Sequence, residues 1–197
     1  MQSLNSRISK LLGSCSTSKP TEGKGRGQTV FQVLLNSKLP PSELTEERLQ
    51  HEAVSIVGAG FDTTKQALVM ICFHIIDNPA VYKRLHQELV EAIPDPTVMP
   101  SWPELQKLPY LSACIEEGLR IGFGTVQRSP RISPTPVQYH QYTIPAGTPV
   151  SQDSYHMHLH DEIFPDSYTY KPERWLGDPC GPDGLRKLSR YMVAFGR

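Results

Sequence analysis

The 197 residues hold only four cysteines, Cys15, Cys72, Cys114 and Cys180, too scattered for a C-x-x-C pair. That spacing excludes a disulfide framework or a zinc knuckle and leaves free thiols, as expected in a reducing compartment. An excess of one charge is also missing. Lys plus Arg and Asp plus Glu number 20 each, for a net charge of zero. With no basic surplus to neutralise phosphates, nucleic acid is not an expected partner. Long apolar runs are lacking too: the longest, residues 67–76, contains His74 and is about half of what a bilayer-spanning helix needs. The first 27 residues are rich in Ser, Lys and Gly and have no apolar centre of a secretory signal. The reading is of a chain without a targeting or membrane segment, and hence cytoplasmic.

What is present is a loop-rich globular sequence, with 18 prolines and 14 glycines against a usual combined share of about 12%. Residues 1–28 read as a flexible lead-in that buries too little apolar surface to offset its ordering entropy, and residues 29–197 as the folded part. A long helix is expected from Thr45, a suitable N-cap followed by Glu46 and Glu47 in the first turn, to the stop at Asn78-Pro79. At 1.5 Å per residue it spans on the order of 50 Å. A second helix follows over residues 80–93 with Val81, Leu85, Leu89 and Ile93 on one stripe. Ser101 and Glu104 have capping-box spacing. A third helix runs from Tyr110 to Ile121, with Gly122 as its stop. From Val137 the pattern turns to short strands, Val137–Tyr139, Tyr142–Ile144 and, after the turn at Pro145–Thr148, Pro149–Met157. Beyond His160 repeated prolines predict loops.

The middle of the long helix is unusual. Val57-Gly58-Ala59-Gly60-Phe61-Asp62-Thr63-Thr64 places two glycines, a threonine pair and a carboxylate inside an apolar helix, and each Gly costs roughly 1 kcal/mol relative to Ala. One reading is a kink or a close helix crossing. The other is a flat ligand lying against the backbone at Ala59 and Gly60, with Asp62 and Thr63 offering proton-bearing groups where the helical ladder opens.

Glu117-x-x-Arg120 taken singly is a commonplace i, i+3 pair worth a few tenths of a kcal/mol. Its company matters more. In chain order come Ala59-Gly60-Phe61-Asp62-Thr63-Thr64, Glu117-Gly118-Leu119-Arg120, Pro172-Glu173-Arg174-Trp175 and Phe195-Gly196-Arg197. In these four segments, and in Ile144-Pro145-Ala146-Gly147-Thr148 and His160-Asp161 with Phe164-Pro165-Asp166, the sequence resembles the cytochrome P-450 heme-thiolate monooxygenases over residues 30 to 197. Leu108–Ser112 and Gly147–Ser151 are similar to fungal secondary-metabolism members of the trichodiene-oxygenase type.

The resemblance implies a mainly α fold with small β-sheets, a partial cytochrome P-450 domain incomplete at both ends. It implies that Glu117, Arg120 and Arg174 form a structural network of forked, bidentate bonds supporting the approach to the heme loop. Arg131 would bind a heme propionate; a solvated surface arginine is the competing reading. Thr63 would hydrogen-bond to the dioxygen being activated, Asp62 would connect that place to a proton source, and Ala59 and Gly60 would leave room over the heme. Electrons would come from an NADPH-dependent reductase. The substrate would be an apolar small molecule, a sesquiterpenoid-like secondary metabolite. Full-length relatives are usually anchored in the endoplasmic reticulum.

The family's iron ligand is the cysteine of an F-x-x-G-x-R-x-C loop, whose thiolate favours O–O cleavage. Phe195-Gly196-Arg197 reads as the beginning of that loop, and the axial cysteine is not among the 197 residues. Cys180 lacks the preceding motif, and Cys72 and Cys114 read as small core residues. The alternative to an active heme enzyme is therefore a truncated, catalytically inactive piece of one. A rival constellation is His156-Met157-His158-Leu159-His160, whose alternation on a strand would put three imidazoles on one face for a metal. With no fourth ligand evident and the flanking words fitting the family, the favoured reading is the polar segment before His160-Asp161.

Overall fold

The computed structural model describes residues 30–124 and 126–195. The lead-in expected at 1–28, Cys15, Gly196 and Arg197 lie outside the described residues. The chain divides into two units, Met1–Thr64 and Lys65–Arg197, each taken by itself below. It is mainly helical, with two small antiparallel sheets.

In the first unit, helix α1 (Val30–Leu35) and a 3-10 turn (Pro41–Leu44) lead to helix α2, which runs from Glu46 to Asp77 and continues into the second unit. The Thr45 Oγ1 accepts a hydrogen bond from the Arg48 N–H at 3.3 Å, and Glu46 and Glu47 sit on the positive end of the helix dipole. Leu49 and Ala53 are buried. The helix runs without a break through Gly58 and Gly60, and no opening of its ladder interrupts it. Thr63 instead turns its hydroxyl back onto the Ala59 carbonyl, 2.7 Å away, the i−4 bond available to a threonine inside a helix.

The expectation about membrane segments needs one amendment. No uninterrupted apolar run reaches spanning length, but α2 as a whole is long and apolar enough to cross a bilayer, with a mean hydropathy of 1.2 over its most apolar 18 residues. A core helix of a soluble protein meets that same test.

In the second unit Asn78 caps helix α3 (Pro79–Ala92), its Oδ1 accepting from the Ala80 and Val81 N–H groups. The apolar stripe of α3 buries Val81 and Leu85 against Tyr110, Cys114 and Tyr170. A short helix α4 (Trp102–Leu105) follows with the expected capping box, the Ser101 N–H donating to Glu104 at 2.7 Å. Helix α5 (Pro109–Gly122) then crosses the last part of α2 so closely that a Cβ on Gly118 would collide with the Ile71 side chain. Gly122 is the last residue of α5 rather than its stop. The left-handed cap is Phe123, at φ 56°, followed by Gly124 at φ 62°.

Strands β1 (Arg131–Ile132) and β4 (Pro149–Val150) pair antiparallel, as do β2 (Val137–Tyr139) and β3 (Tyr142–Ile144). The strand expected over Pro149–Met157 ends at Val150. Asp153 accepts a hydrogen bond from the His156 N–H at 3.0 Å, and this N-cap starts a helical turn, α6 (Ser154–His158), where an alternating pattern suggested extension. The Pro-rich remainder is irregular apart from 3-10 turns at Pro172–Trp175 and Leu188–Tyr191.

Candidate functional site

Three places hold the residues singled out from the sequence. The first is the carboxylate of Glu117 on α5, with no exposure at all. Arg120, one turn on and equally buried, donates to it twice, Nε to Oε2 at 2.9 Å and a terminal NH2 to Oε1 at 2.8 Å. Arg174 Nε donates to Oε1 at 3.0 Å, the Lys171 main-chain N–H to the same oxygen at 3.0 Å, and Trp175 Nε1 to Oε2 at 2.8 Å. The structure thus brings Glu117, Arg120 and Arg174 together around five hydrogen bonds to one carboxylate. Burial alone would push this carboxyl up; the Arg120 hydrogen bonds and charge, the Arg174 charge and the Lys171 N–H together hold it below its ordinary value. The rest of the Arg120 guanidinium binds the carbonyls of His158 and Ser167, both at 2.7 Å. One buried pair therefore ties α5 to the irregular segment around 158–175.

Sequence reasoning passed over four residues here. Trp175 stood inside a quoted motif but was given no role. Glu88 on α3 accepts the Tyr110 and Leu111 N–H groups, each at 2.8 Å, and so caps a helix whose own N-cap, Leu108, has no side-chain acceptor. A helix start with Leu before Pro109 was the available signal. Glu173 takes the Tyr110 hydroxyl at 2.7 Å and Arg84 at 3.1 Å. His158, read as part of a polar segment or as a metal ligand, is buried and hydrogen-bonded at both ring nitrogens.

That geometry corrects the histidine cluster. On the helical turn the imidazoles diverge: His156 pairs with Asp153 at 2.7 Å, His158 points to Arg120 and Val193, and His160 is exposed. Among the described residues no three His, Cys, Asp or Glu side chains are placed to hold a metal ion.

The second place is a cavity of about 710 Å³ lined by, among others, Arg131, Ser151, Asp153, Val193 and Phe195. Asp153 is held at about 2, first by the His156 main-chain N–H, then by the His156 ring and Arg128. Arg128 is paired with Asp153 at 3.1 Å. Among the described residues the Arg131 side chain makes no ion pair, and its hydrogen bond goes to the carbonyl of Pro130 at 3.4 Å. A permanently charged guanidinium on a cavity wall, with its fork uncommitted to any carboxylate of the described chain, fits an incoming carboxylate.

The third place, in the first unit, is the exposed face of α2 at Ala59, Gly60, Asp62 and Thr63. Around Gly60, nothing lies within 4 Å of where a Cβ would stand. A flat group can therefore reach the backbone there. Of the cysteines, Cys114 is buried, its thiol pushed up to about 11 chiefly by burial, and Cys72 and Cys180 are exposed away from the cavity lining. Taken by itself, the cavity with Arg131 fits an incoming carboxylate such as the acidic edge of a heme, and none of Cys72, Cys114 and Cys180 lines it.

Comparison with known proteins supplies the frame. The family profile described as Cytochrome P-450 matches residues 4–197. The chain is 42% identical over 193 residues to the cytochrome P-450 monooxygenase oblB of Aspergillus clavatus, covering 97% of this chain and 36% of the relative. It is 44% identical over 182 residues to the cytochrome P-450 monooxygenase tndB of Aspergillus flavipes, covering 91% and 36%. Among solved structures it resembles the retinoic acid bound cyanobacterial CYP120A1 with a TM-score of 0.72 at 22% identity, over 98% of this chain and 42% of that one. That likeness carries the fold. The chain spans about a third of the length of the curated relatives it matches. With a profile match across nearly its whole length, the chain belongs to the cytochrome P-450 family.

Proposed function

We propose that this chain is the part of a heme-dependent monooxygenase that carries the oxygen-handling helix, the Glu117 network and one wall of the heme pocket. The protein would oxidise an apolar small molecule, a secondary metabolite of the sesquiterpenoid kind, with O2 and electrons relayed from NADPH by a reductase. Family membership over residues 4–197 carries this reading. When bound, the heme supplies the activation of O2 that no amino-acid side chain can perform.

The chain's own groups have separable tasks. Arg131 holds a propionate at the cavity wall, and Phe195 lines the same cavity. Ala59 and Gly60 keep the helix face low, so that a flat group and a small gas molecule fit against it. The Thr63 hydroxyl, parked on the Ala59 carbonyl at 2.7 Å, turns to donate its proton when an acceptor arrives. Asp62 beside it connects that hydroxyl to solvent protons. Glu117, Arg120 and Arg174 hold the segment around Pro172–Trp175 and do no chemistry. This is a role for a buried, fully bonded carboxylate rather than a titrating one.

The test has two arms. Thr63→Ala in a version of the relatives' full length should uncouple NADPH consumption from product formation; unchanged coupling would overturn the role of Thr63. The 197-residue chain, supplied with heme precursor, reduced and exposed to carbon monoxide, should give no thiolate-type Soret band, because none of Cys72, Cys114 and Cys180 lines the cavity. A thiolate-type band from this chain would show that one of them serves after all. A second reading, a catalytically inactive piece, is favoured by one observation: none of the described cysteines lines the cavity. The same spectrum, recorded on this chain and on the longer version, separates the two.

A further inference from the structure

His158 is the last residue of α6 and has no exposed surface. Its Nδ1 lies 3.0 Å from the main-chain carbonyl oxygen of Arg120, and its Nε2 lies 2.9 Å from the main-chain N–H of Val193. A carbonyl oxygen only accepts, so Nδ1 must carry the proton; an N–H only donates, so Nε2 must be bare. Both contacts together admit one state of the ring, the neutral Nδ1–H tautomer. The main chain of His158 is fixed by the same partner, because Arg120 donates a guanidinium N–H to the His158 carbonyl at 2.7 Å. The imidazole is thus anchored on the buried Glu117–Arg120 pair and reaches outward with a single acceptor.

What it reaches is the cavity wall. Val193, Ala194 and Phe195 form one side of the 710 Å³ cavity that Arg131 also lines. The same stretch is met independently by Gly124, which sits at φ 62° two residues past the end of α5. A Cβ there would come within 2.7 Å of the Ala194 carbonyl oxygen. Two adjacent main-chain groups, the N–H of Val193 and the carbonyl of Ala194, are therefore located by contacts that both trace back to the C-terminal end of α5.

We infer that His158 is a positioning residue: held as its Nδ1–H tautomer by the Arg120 carbonyl, it fixes the Val193 N–H through Nε2 and thereby sets the cavity wall formed by Val193, Ala194 and Phe195. Burial pushes the ring pKa down to about 4, with the Arg120 charge adding to this and outweighing the hydrogen bond to the Arg120 carbonyl and the charge of Glu117, so the neutral ring persists well below neutrality. The bond network stands whether or not the cavity takes a heme; only its consequence for the cofactor rests on the proposed function.

The decisive measurement uses the 197-residue chain itself, labelled with 15N. A long-range proton–nitrogen correlation at pH 7 should show His158 protonated at Nδ1 and bare at Nε2; a proton on Nε2 would overturn the inference outright. Two variants then separate positioning from bulk packing. Asparagine keeps a donor near Nδ1 and loses the acceptor, whereas glutamine places an amide oxygen near Nε2. His158→Asn should speed hydrogen exchange of the Val193 amide on the order of tenfold, the expected effect of losing one such bond, while the amides of Cys114 and Glu117 keep their protection. His158→Gln should restore Val193 to within about threefold of the unaltered chain. Equal exchange in all three proteins, or equal acceleration in both variants, would reduce His158 to a space-filling side chain. If the variants do not fold, the tautomer measurement still decides. None of these readouts needs heme, so their failure and the failure of the heme-enzyme reading are told apart.

Discussion

Around Glu117 almost every polar group is satisfied within the chain, whereas along α2 between Val54 and Ile76 eight large apolar side chains stay largely exposed. The Glu117 carboxylate takes five hydrogen bonds and has no exposed surface. On the helix, Val54, Ile56, Val57, Phe61, Leu68, Val69, Phe73 and Ile76 are all exposed, Phe61 at 66% and Ile76 at 70%. Fully burying one such side chain is worth roughly 1.5–3 kcal/mol, a gain these residues do not make here. The Glu117 network therefore holds its own segment, whereas these eight side chains bury only part of their surface. Burial of charge is favourable only where pairing is complete, so the network is also the more brittle of the two regions.

The largest effect expected follows from that brittleness. Glu117→Ala leaves Arg120 buried with its carboxylate gone, and the second unit should lose roughly 3–5 kcal/mol, enough to unfold a marginal domain. Urea unfolding followed by circular dichroism reads the loss. A change below about 1 kcal/mol would mean that solvent or relaxation replaces the pair and that the two regions differ less than their burial indicates.

The next effect is a pH dependence centred on His158. The buried ring has its pKa lowered from 6.5 to about 4, so the unfolded chain takes up a proton before the folded one. Stability is undiminished above about pH 6.5 and falls as the pH drops toward 4, by roughly 3 kcal/mol at about 1.4 kcal/mol per unit. Glu117 titrates on the other side of this window: its folded pKa lies below 4.5, and its contribution is lost only at more acid pH. Unfolding free energies at pH 7, 5.5 and 4.5 should show the slope, and His158→Gln should flatten it.

How much of this was legible in the sequence depended on whether a residue's partner was local. Thr45, the Asn78-Pro79 boundary and the Ser101 and Glu104 box are decided by neighbours three residues away, and they appear as read. The i, i+3 spacing placed Glu117 against Arg120, and the resemblance added Arg174. The turn at Ser154–His158 was misread because alternation of His and apolar residues fits a strand, while the deciding contacts, Asp153 on the His156 N–H and Arg120 on the His158 carbonyl, include one from 38 residues away. Glu88 and His158 stayed invisible for the same reason. Their partners are main-chain groups 22 to 38 residues distant, and the main chain carries no letter in the sequence. Gly60 was legible as an oddity, but the unbroken helix around it was not.

Glu88 gives the third test, a smaller one. Its two oxygens take the Tyr110 and Leu111 N–H groups at the start of α5, where a negative charge also meets the helix dipole. Glu88→Ala strands both donors, and the second unit should lose about 1–2 kcal/mol, typical of a lost cap. Glu88→Gln, which keeps one acceptor oxygen and gives up the charge, should recover part of it. Full recovery by Gln would show that the hydrogen bond matters and the charge does not.

The smallest effect belongs to the helix face, and it is the one that tests the comparison from the other side. Ile76 is 70% exposed, so Ile76→Ser removes an apolar side chain that touches water in the folded and unfolded states alike. Its unfolding free energy should then stay within about 0.5 kcal/mol of the unaltered chain, the usual range for surface positions. What should change is the behaviour of the folded chain. An apolar stripe on a helix is a surface for self-association and dye binding, so the variant should bind less 1-anilinonaphthalene-8-sulfonate and remain monomeric to higher concentration. A loss of 2 kcal/mol or more, the range of a core truncation, would instead place Ile76 among buried neighbours. The contrast between a self-sufficient network and an uncovered helix would then fail at its weaker end.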